Sequence, residues 1–365
     1  MILIFFQNCL SPHQIPYIRE CVKDERVDKV YFVMPRIDYE ERSDMGWSND
    51  RLLNEPTIQF VFKPTDEKVR ELLDVGNKDV RCLFSGIRAD SDVFRWLNIS
   101  FGFDVKRYII TEPPYTFDKP LWMHYVRFFL QDYKYVKYID GIFAIGESCE
   151  RYYRSISKRW KVFPFLYVTE SYDDVPNIHI DGDLRVLYVG SLSKRKNVKV
   201  LVEALKGMSN VRLNIIGDGE EIDSLETLAR ENDVKVKFFG TLPMKDIPLE
   251  MQKNDILVLP SLYDGWGAVV NEALTQGLYV ICSDKCGAKD LLHDERRGLV
   301  FRNNDSADLR NLISACITKS GIIRKGRPIR HEWAKENIYG STIAKYVIDC
   351  LEKDEREMCS WKYNK

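Results

Sequence analysis

In the stretch "PSLYDGWGAVVNEALTQGLYVICSDKCGAKDLL", residues 260–292, two carboxylates, Asp264 and Glu272, bracket a tryptophan and two glycines; an apolar run and another glycine turn follow. A helix starting near Gly267 carries Glu272 on its first turns, where a carboxylate can accept two hydrogen bonds from a vicinal diol such as a ribose. Asp264 falls at the end of the preceding strand. Gly265 and Gly267 admit backbone conformations and close approaches that a side chain would obstruct. Read in isolation, both acids could also be helix caps or surface charges.

A second stretch, "YVGSLSKRKNVKVLVEAL", ends a strand at Gly190 and places Lys194, Arg195 and Lys196 ahead of a helix. A helix N-terminus offers unpaired N–H groups and the positive end of the dipole, so bases there are unhelpful unless an anion offsets them. Arginine holds phosphate oxygens in a fork and lysine acts as a point charge, which makes the loop suited to a phosphate. The alternative is a solvated basic turn. In "NIIGDGEEIDSLETLA", Gly217 and Gly219 permit a tight turn, but this is neither a full dinucleotide fingerprint nor a Walker sequence. Its acids Asp218, Glu220 and Glu221 can simply cap the next helix.

These loops need elements to hold them. At 365 residues the chain fits two domains of ordinary size. Its 45% hydrophobic and 30% charged residues, with net charge -1, are the balance of a globular protein and give no case for nucleic acid. The runs "MILIFF", "VDKVYFVM", "TIQFVF", "DVRCLFSG", "VKRYIIT" and "IDGIFAIG" read as buried strands alternating with helices, the pattern of a mostly parallel sheet covered on both faces. "TIQFVF" is equally readable as a buried helix segment. After a stretch rich in proline, glycine and aspartate, a second alternation begins with "LRVLYVG", "VRLNIIG", "VKVKFFG", "DILVLP" and "LYVICS". Four of these runs end at or just before Gly, Pro or Ser, as loops at the carboxyl edge of an open sheet do. From Asp308 to Leu351 the periodicity is helical, interrupted by a basic turn, "RKGRPIR".

The nine cysteines lack paired zinc spacing and read as small buried hydrophobes in a reducing compartment. "MILIFFQN" has no basic leader and reads as a first strand, and no apolar run approaches the length of a membrane span.

Assembled, these residues resemble the retaining nucleotide-sugar glycosyltransferases of family 4, most specifically from Leu184 to about Arg302. The resemblance implies an α/β chain of GT-B fold, two Rossmann-like domains with mostly parallel sheets facing a central cleft. The implied boundaries are 1–165 for an acceptor-side domain, 166–183 for a linker and 184–340 for a nucleotide-sugar-binding domain. Residues 341–365 would form a C-terminal helix and tail packing back toward the first domain.

By that resemblance Gly190, Arg195 and Lys196 hold the donor diphosphate, and Asp264 lies near the transferred sugar. Glu272 binds the ribose, Gly217 and Gly219 approach the base, and the amides of Gly287 and Ala288 approach phosphates or sugar. Gly265 and Gly267 shape the loop between the two acids. The chain departs from the family at Asp264, usually glutamate, at Ser191, usually arginine, at Asn197, usually glycine, and at Tyr279, usually proline. Aspartate keeps the charge and shortens its reach.

The family's N-terminal glycine-rich loop is replaced by "QNCLSPHQIPYIREC", which turns at Pro12 and starts a helix near Pro16, aiming His13 and Gln14 at the cleft. A turn-stabilising role for His13 is the alternative. Glu112 follows an apolar strand and is a further carboxylate candidate on the acceptor side, whereas His124 lies among aromatics and reads as packing.

The implied reaction is metal-independent transfer from a nucleotide diphosphate sugar, with a UDP-sugar favoured and no cofactor, to a hydroxyl of a saccharide or lipid-linked saccharide. "DSD" at 90–92 reads as a helix start and "DGD" at 181–183 as a turn, so neither is taken as a metal site. Aromatics and bases interleave in "DKPLWMHYVRFFLQDYKYVKYIDG" and in residues 151–161, a surface that suits an anionic membrane or simply a packed face with solvated bases. The implied setting is cytoplasmic, peripheral at the inner face of the cytoplasmic membrane, in polysaccharide biosynthesis. The competing readings are an inactive sugar-nucleotide-binding scaffold of the same fold and a two-domain hydrolase. A hydrolase of uncharged glycosides has no use for the anion loop.

Overall fold

The computed structural model describes residues 1–37, 53, 55–76, 78–170, 182–355 and 357–362. They form two compact units, one from the chain before residue 171 together with Tyr339–Cys359, the other from residues 182–338 and 360–362. Of the expected linker, residues 166–170 stay with the first unit, and 171–181 lie outside the described residues.

Among the described residues the first unit holds seven strands: β1 (Ile2–Phe6), β2 (Lys29–Met34), β3 (Gln59–Phe62), β4 (Val80–Ser85), β5 (Lys106–Thr111), β6 (Gly141–Ile145) and β7 (Lys161–Phe165). They lie in the order 3-2-1-4-5-6-7, and every pairing is parallel. β1 is buried at each position, which is why its sequence is an unbroken apolar run and not an alternation. The ambiguous "TIQFVF" run is the edge strand β3, with both ends exposed.

The helix Ile15–Cys21 carries Pro16 in its first turn, where a missing N–H leaves no bond unmade. Against it packs the helix Gly340–Lys353, so closely that a Cβ on Gly340 would stand 2.4 Å from the Pro16 carbonyl oxygen. Arg26 pairs with Asp349 at 2.7 Å and with Glu352 at 2.6 Å, and Tyr346 donates to the Pro164 carbonyl at 2.9 Å. The last long helix thus belongs to the first unit.

The second unit holds β8 (Leu184–Val189), β9 (Val211–Ile216), β10 (Val236–Phe238), β11 (Ile256–Leu259), β12 (Tyr279–Ser283) and β13 (Gly298–Phe301). Their order is 10-9-8-11-12-13, again all parallel. Strand order reverses between β8 and β11. In an open parallel sheet a ligand binds outside the carboxyl ends at such a reversal. The loops singled out by sequence follow β8, β9, β11 and β12, so all four open at that one edge.

"RKGRPIR" turns at Gly326. Its residues end the helix Ser320–Lys325 and begin the helix Arg327–Ile338, and Arg327 and Arg330 are buried. The Arg327 guanidinium donates to the carbonyls of Gln252, Gln276 and Asn254, and that of Arg330 donates to Gly277 at 2.8 Å. Five donors in a fixed fork let arginine satisfy several loop carbonyls at once, which charge counting along the chain does not reveal.

The Gly340 contact is against backbone, which cannot swing aside. Gly340→Val is expected to destabilise the first unit by about 2–4 kcal/mol, measured as a lowered urea midpoint; an unchanged midpoint would show that the helix does not need this approach.

Candidate functional site

The edge of the second sheet is built by loops that pass one another at backbone distance. Gly217 leaves β9 at φ +133, and a Cβ there would lie 1.9 Å from the Gly190 carbonyl oxygen. Leu192 donates its N–H to Asp218 at 2.8 Å and accepts from Glu221 at 3.1 Å, so the "GDG" turn is stitched to the loop after β8. Asn197, where the resembled family has glycine, adopts the left-handed region at φ 52 and ψ 44. Asparagine is among the few residues that tolerate that region, so the turn survives the substitution.

The basic residues of the β8 loop meet the acid of the β11 loop. Lys196 Nζ lies 2.6 Å from Asp264 Oδ2, and Arg195 Nη1 lies 4.0 Å from the same oxygen. Arg195 also donates to the Tyr263 carbonyl at 2.9 Å, while its own carbonyl accepts from Leu262 N at 2.8 Å. Asp264, expected to reach toward a sugar, is in this structure the counter-ion of Lys196.

Gly287 and Ala288 also differ from expectation. Their N–H groups, expected to approach a phosphate or sugar, donate to the carbonyls of Asp264 at 3.0 Å and Trp266 at 2.7 Å. Instead of facing a ligand they brace the β11 loop, and a Cβ on Gly287 would stand 2.2 Å from the Gly265 carbonyl oxygen. Trp266 is buried and donates from Nε1 to Asn271 at 2.8 Å, which ties the loop to the helix Val269–Thr275. Gly267 turns at φ +95, in a space where a Cβ would meet Cys286 Sγ at 2.7 Å.

Glu272 sits in the first turn of that helix, and its carboxylate has no hydrogen-bond or ion-pair partner among the described residues. Part of its surface still reaches solvent, yet the protein packed around it desolvates the carboxyl group and pushes its pKa up to about 7. An acid raised by desolvation alone, without a cation to offset it, is a group waiting for donors. The edge therefore presents two cations sharing one carboxylate, and a second carboxylate with none.

In the first unit the candidates separate. Gln14, expected to face the cleft, is buried, and its amide donates to Gln7 Oε1 at 2.7 Å, where Gln7 in turn donates to the Leu83 carbonyl. Glu112 and His13 do come together, through a residue the sequence reading missed. Tyr167 donates its hydroxyl to Glu112 Oε1 at 2.6 Å, and its ring centre lies 5.8 Å from that of His13. All three follow the carboxyl ends of β1, β5 and β7. The available signal was position, since Tyr167 stands two residues past β7 as Glu112 stands one past β5.

Asp90 caps the helix Ser91–Ser100 and pairs with Arg36 at 2.8 Å, and Asp183 pairs with Arg212 at 3.0 Å. The carbonyl of His124 accepts from Tyr152 at 3.1 Å. Among the described residues no group of three or more histidine, cysteine, aspartate or glutamate side chains is placed to hold a metal ion.

Residues 173–337 match the model of the family described as Glycosyl transferases group 1, so the second unit is related to that family. Over 187 residues the chain is 30% identical to an uncharacterised glycosyltransferase of Methanocaldococcus jannaschii, covering 50% of this chain and 42% of that one. Over 180 residues it is 27% identical to a sulfoquinovosyl transferase of Arabidopsis thaliana, covering 48% and 31%. The matches thus span less than half the length of these relatives.

Among solved structures, Anabaena HepE in complex with UDP superposes with a TM-score of 0.70 at 15% identity, covering 97% of this chain and all of that one, 100%. The lipopolysaccharide outer core galactosyltransferase WaaB gives a TM-score of 0.69 at 16% identity, covering 97% and 99%. At such identities the likeness is one of fold. The fold is GT-B, with its two Rossmann-like, mostly parallel sheets.

Because the Glu272 pKa is raised, the protonated acid favours the folded state. That contribution is fully present below the ordinary glutamate value near 4.5 and is lost as pH rises through about 7. Glu272→Gln is therefore expected to stabilise the protein by about 1–3 kcal/mol above pH 7 and to have little effect near pH 4, seen as diverging urea midpoints. Parallel midpoints at all pH values would show that the carboxylate is solvated.

Proposed function

We propose that the protein is a retaining glycosyltransferase of family 4. In this reading it moves a hexose or related sugar from a nucleotide diphosphate donor, a UDP-sugar in the favoured case, to a hydroxyl of a saccharide or lipid-linked saccharide. The observation that carries the proposal is the pairing at one sheet edge of an unpartnered, desolvated Glu272 with the Arg195–Lys196 cations. A ribose offers two hydroxyl donors to the first, and a diphosphate offers charge to the second. The complex of HepE with UDP, on the same fold, supports a uridine nucleotide as the first to try.

The chemistry follows from where charge grows. As the bond between the anomeric carbon and the phosphate oxygen breaks, its electron pair leaves with the diphosphate. Lys196 and Arg195 stabilise that developing charge more than they stabilise the intact donor, which is the condition for a gain in rate. The acceptor oxygen bonds to the same face of the sugar, and its proton passes to the departing phosphate oxygen. Asp264 tempers the cations before the donor arrives and releases Lys196 to the phosphate when it does. His13, Glu112 and Tyr167 are the proposed acceptor-side groups of the first unit.

Radiolabelled sugar transfer from UDP-sugars to a panel of saccharide and lipid-linked acceptors tests this reading. Lys196→Ala is expected to lower kcat by about 10²–10³-fold while changing uridine binding by less than about threefold. Donor binding with no transfer to any acceptor and no hydrolysis would instead make the chain a sugar-nucleotide-binding protein of this fold, and glycoside cleavage without a nucleotide product would make it a hydrolase.

A further inference from the structure

The helix Leu121–Gln131 has one fully buried residue, Phe128, which packs edge-on against Trp160 with ring centres 5.6 Å apart. Its inner side is completed by Tyr125, whose hydroxyl meets Ser155 at 2.7 Å. On a surface helix anchored in this way the outer side should be polar. Here it is apolar. Trp122 is 64% exposed and Leu130 is 81% exposed, and Val126, Phe129 and Tyr133 stand exposed beside them. These positions recur at three- and four-residue intervals, so they form one stripe along the outside of the helix and into the turn after it.

Scattered exposed leucines need no explanation, but a contiguous stripe of this size marks a surface that something covers. The charges around it say what. From Lys119 to Tyr138 the chain has four bases, Lys119, Arg127, Lys134 and Lys137, and one acid, Asp132. None of the four bases is in an ion pair among the described residues, and the acid is held by Arg88 at 3.4 Å. Lys134 and Lys137 lie over the rings of Tyr135 and Tyr138, at 5.1 and 4.7 Å, so their charge stays at the same level as the aromatic rim. In residues 151–161, Lys158 and Arg159 add two bases outside ion pairs among the described residues, while Arg151, Arg154 and Lys161 pair with Glu147, Glu150 and Asp354.

A second copy of the chain meeting this face would set mostly base against base, since Asp132 is already paired and Asp118 alone at the start of the segment is left to offset the bases. A bilayer with anionic headgroups complements both features, taking the apolar stripe below the headgroups and the lysines and arginines at their level. We infer that the helix Leu121–Gln131 lies flat in the surface of an anionic membrane and docks the first unit there. No helix among the described residues is long and apolar enough to cross a membrane, so the contact is one of surface insertion. The inference stands on this face alone and does not depend on the donor-site reading.

Co-sedimentation of the full chain with vesicles tests it. Vesicles of phosphatidylglycerol mixed into phosphatidylcholine are expected to carry the protein down, and vesicles of phosphatidylcholine alone to leave it in solution. Raising the salt to about 0.5 M should weaken the binding, because the basic contribution is screened. W122S/L130S, which alters only exposed side chains, is expected to lower partitioning at least about tenfold while its far-UV circular dichroism stays unchanged. Binding that persists in this variant, or absence of binding by the unaltered chain, overturns the inference. So does a dimer in sedimentation velocity that the same two substitutions dissolve, which would assign the face to a second copy.

Discussion

The 2.6 Å ion pair between Lys196 and Asp264 joins the loops after β8 and β11, and it exists because the sheet order reverses between those two strands. The pairing of β8 with β11 brings together residues that lie 68 positions apart in the chain. The pair also sets the character of the site. It leaves the cations partly neutralised, close enough to an anion to be recruited and not so bare that the loop repels itself. The glycines serve this arrangement, since Gly217 passing Gly190 and Gly287 passing Gly265 bring the loops close enough for side chains to meet across them.

Much of this was readable along the chain. Buried parallel strands declare themselves as continuous apolar runs, and the loops after β8, β9, β11 and β12 were marked by glycines and charges at their starts. Burial and pairing were less readable, because they depend on what the fold brings opposite. Arg327 and Arg330 look like a solvated basic turn until the carbonyls they serve are known. Gln14 was expected to face the cleft and instead bonds to Gln7, seven residues earlier, just past the end of β1. Tyr167 carried no local pattern at all, and only the folded chain beyond the carboxyl end of β7 gives it Glu112 and His13 as neighbours.

The departures from the family pattern fall into two physical kinds. Asn197 and Tyr279 replace residues chosen for backbone reasons, and the fold absorbs both: Asn197 takes the left-handed turn, and Tyr279 gains a bond from its N–H to Asp255 that proline could not make, at 3.1 Å. Asp264 and Ser191 replace residues that would carry charge or reach. The shorter acid pairs with Lys196, and the serine leaves Arg195 and Lys196 to supply the positive charge. On the proposed function, such a site depends more heavily on Glu272 to hold the nucleotide.

Calorimetric titration of the full chain with UDP, GDP and ADP, beside Glu272→Ala, tests that dependence. One of the three, UDP first, is expected to bind selectively and to lose about 10–100-fold in affinity when the carboxylate is removed. Equal binding by the variant, or no binding of any of the three to the unaltered chain, would contradict it.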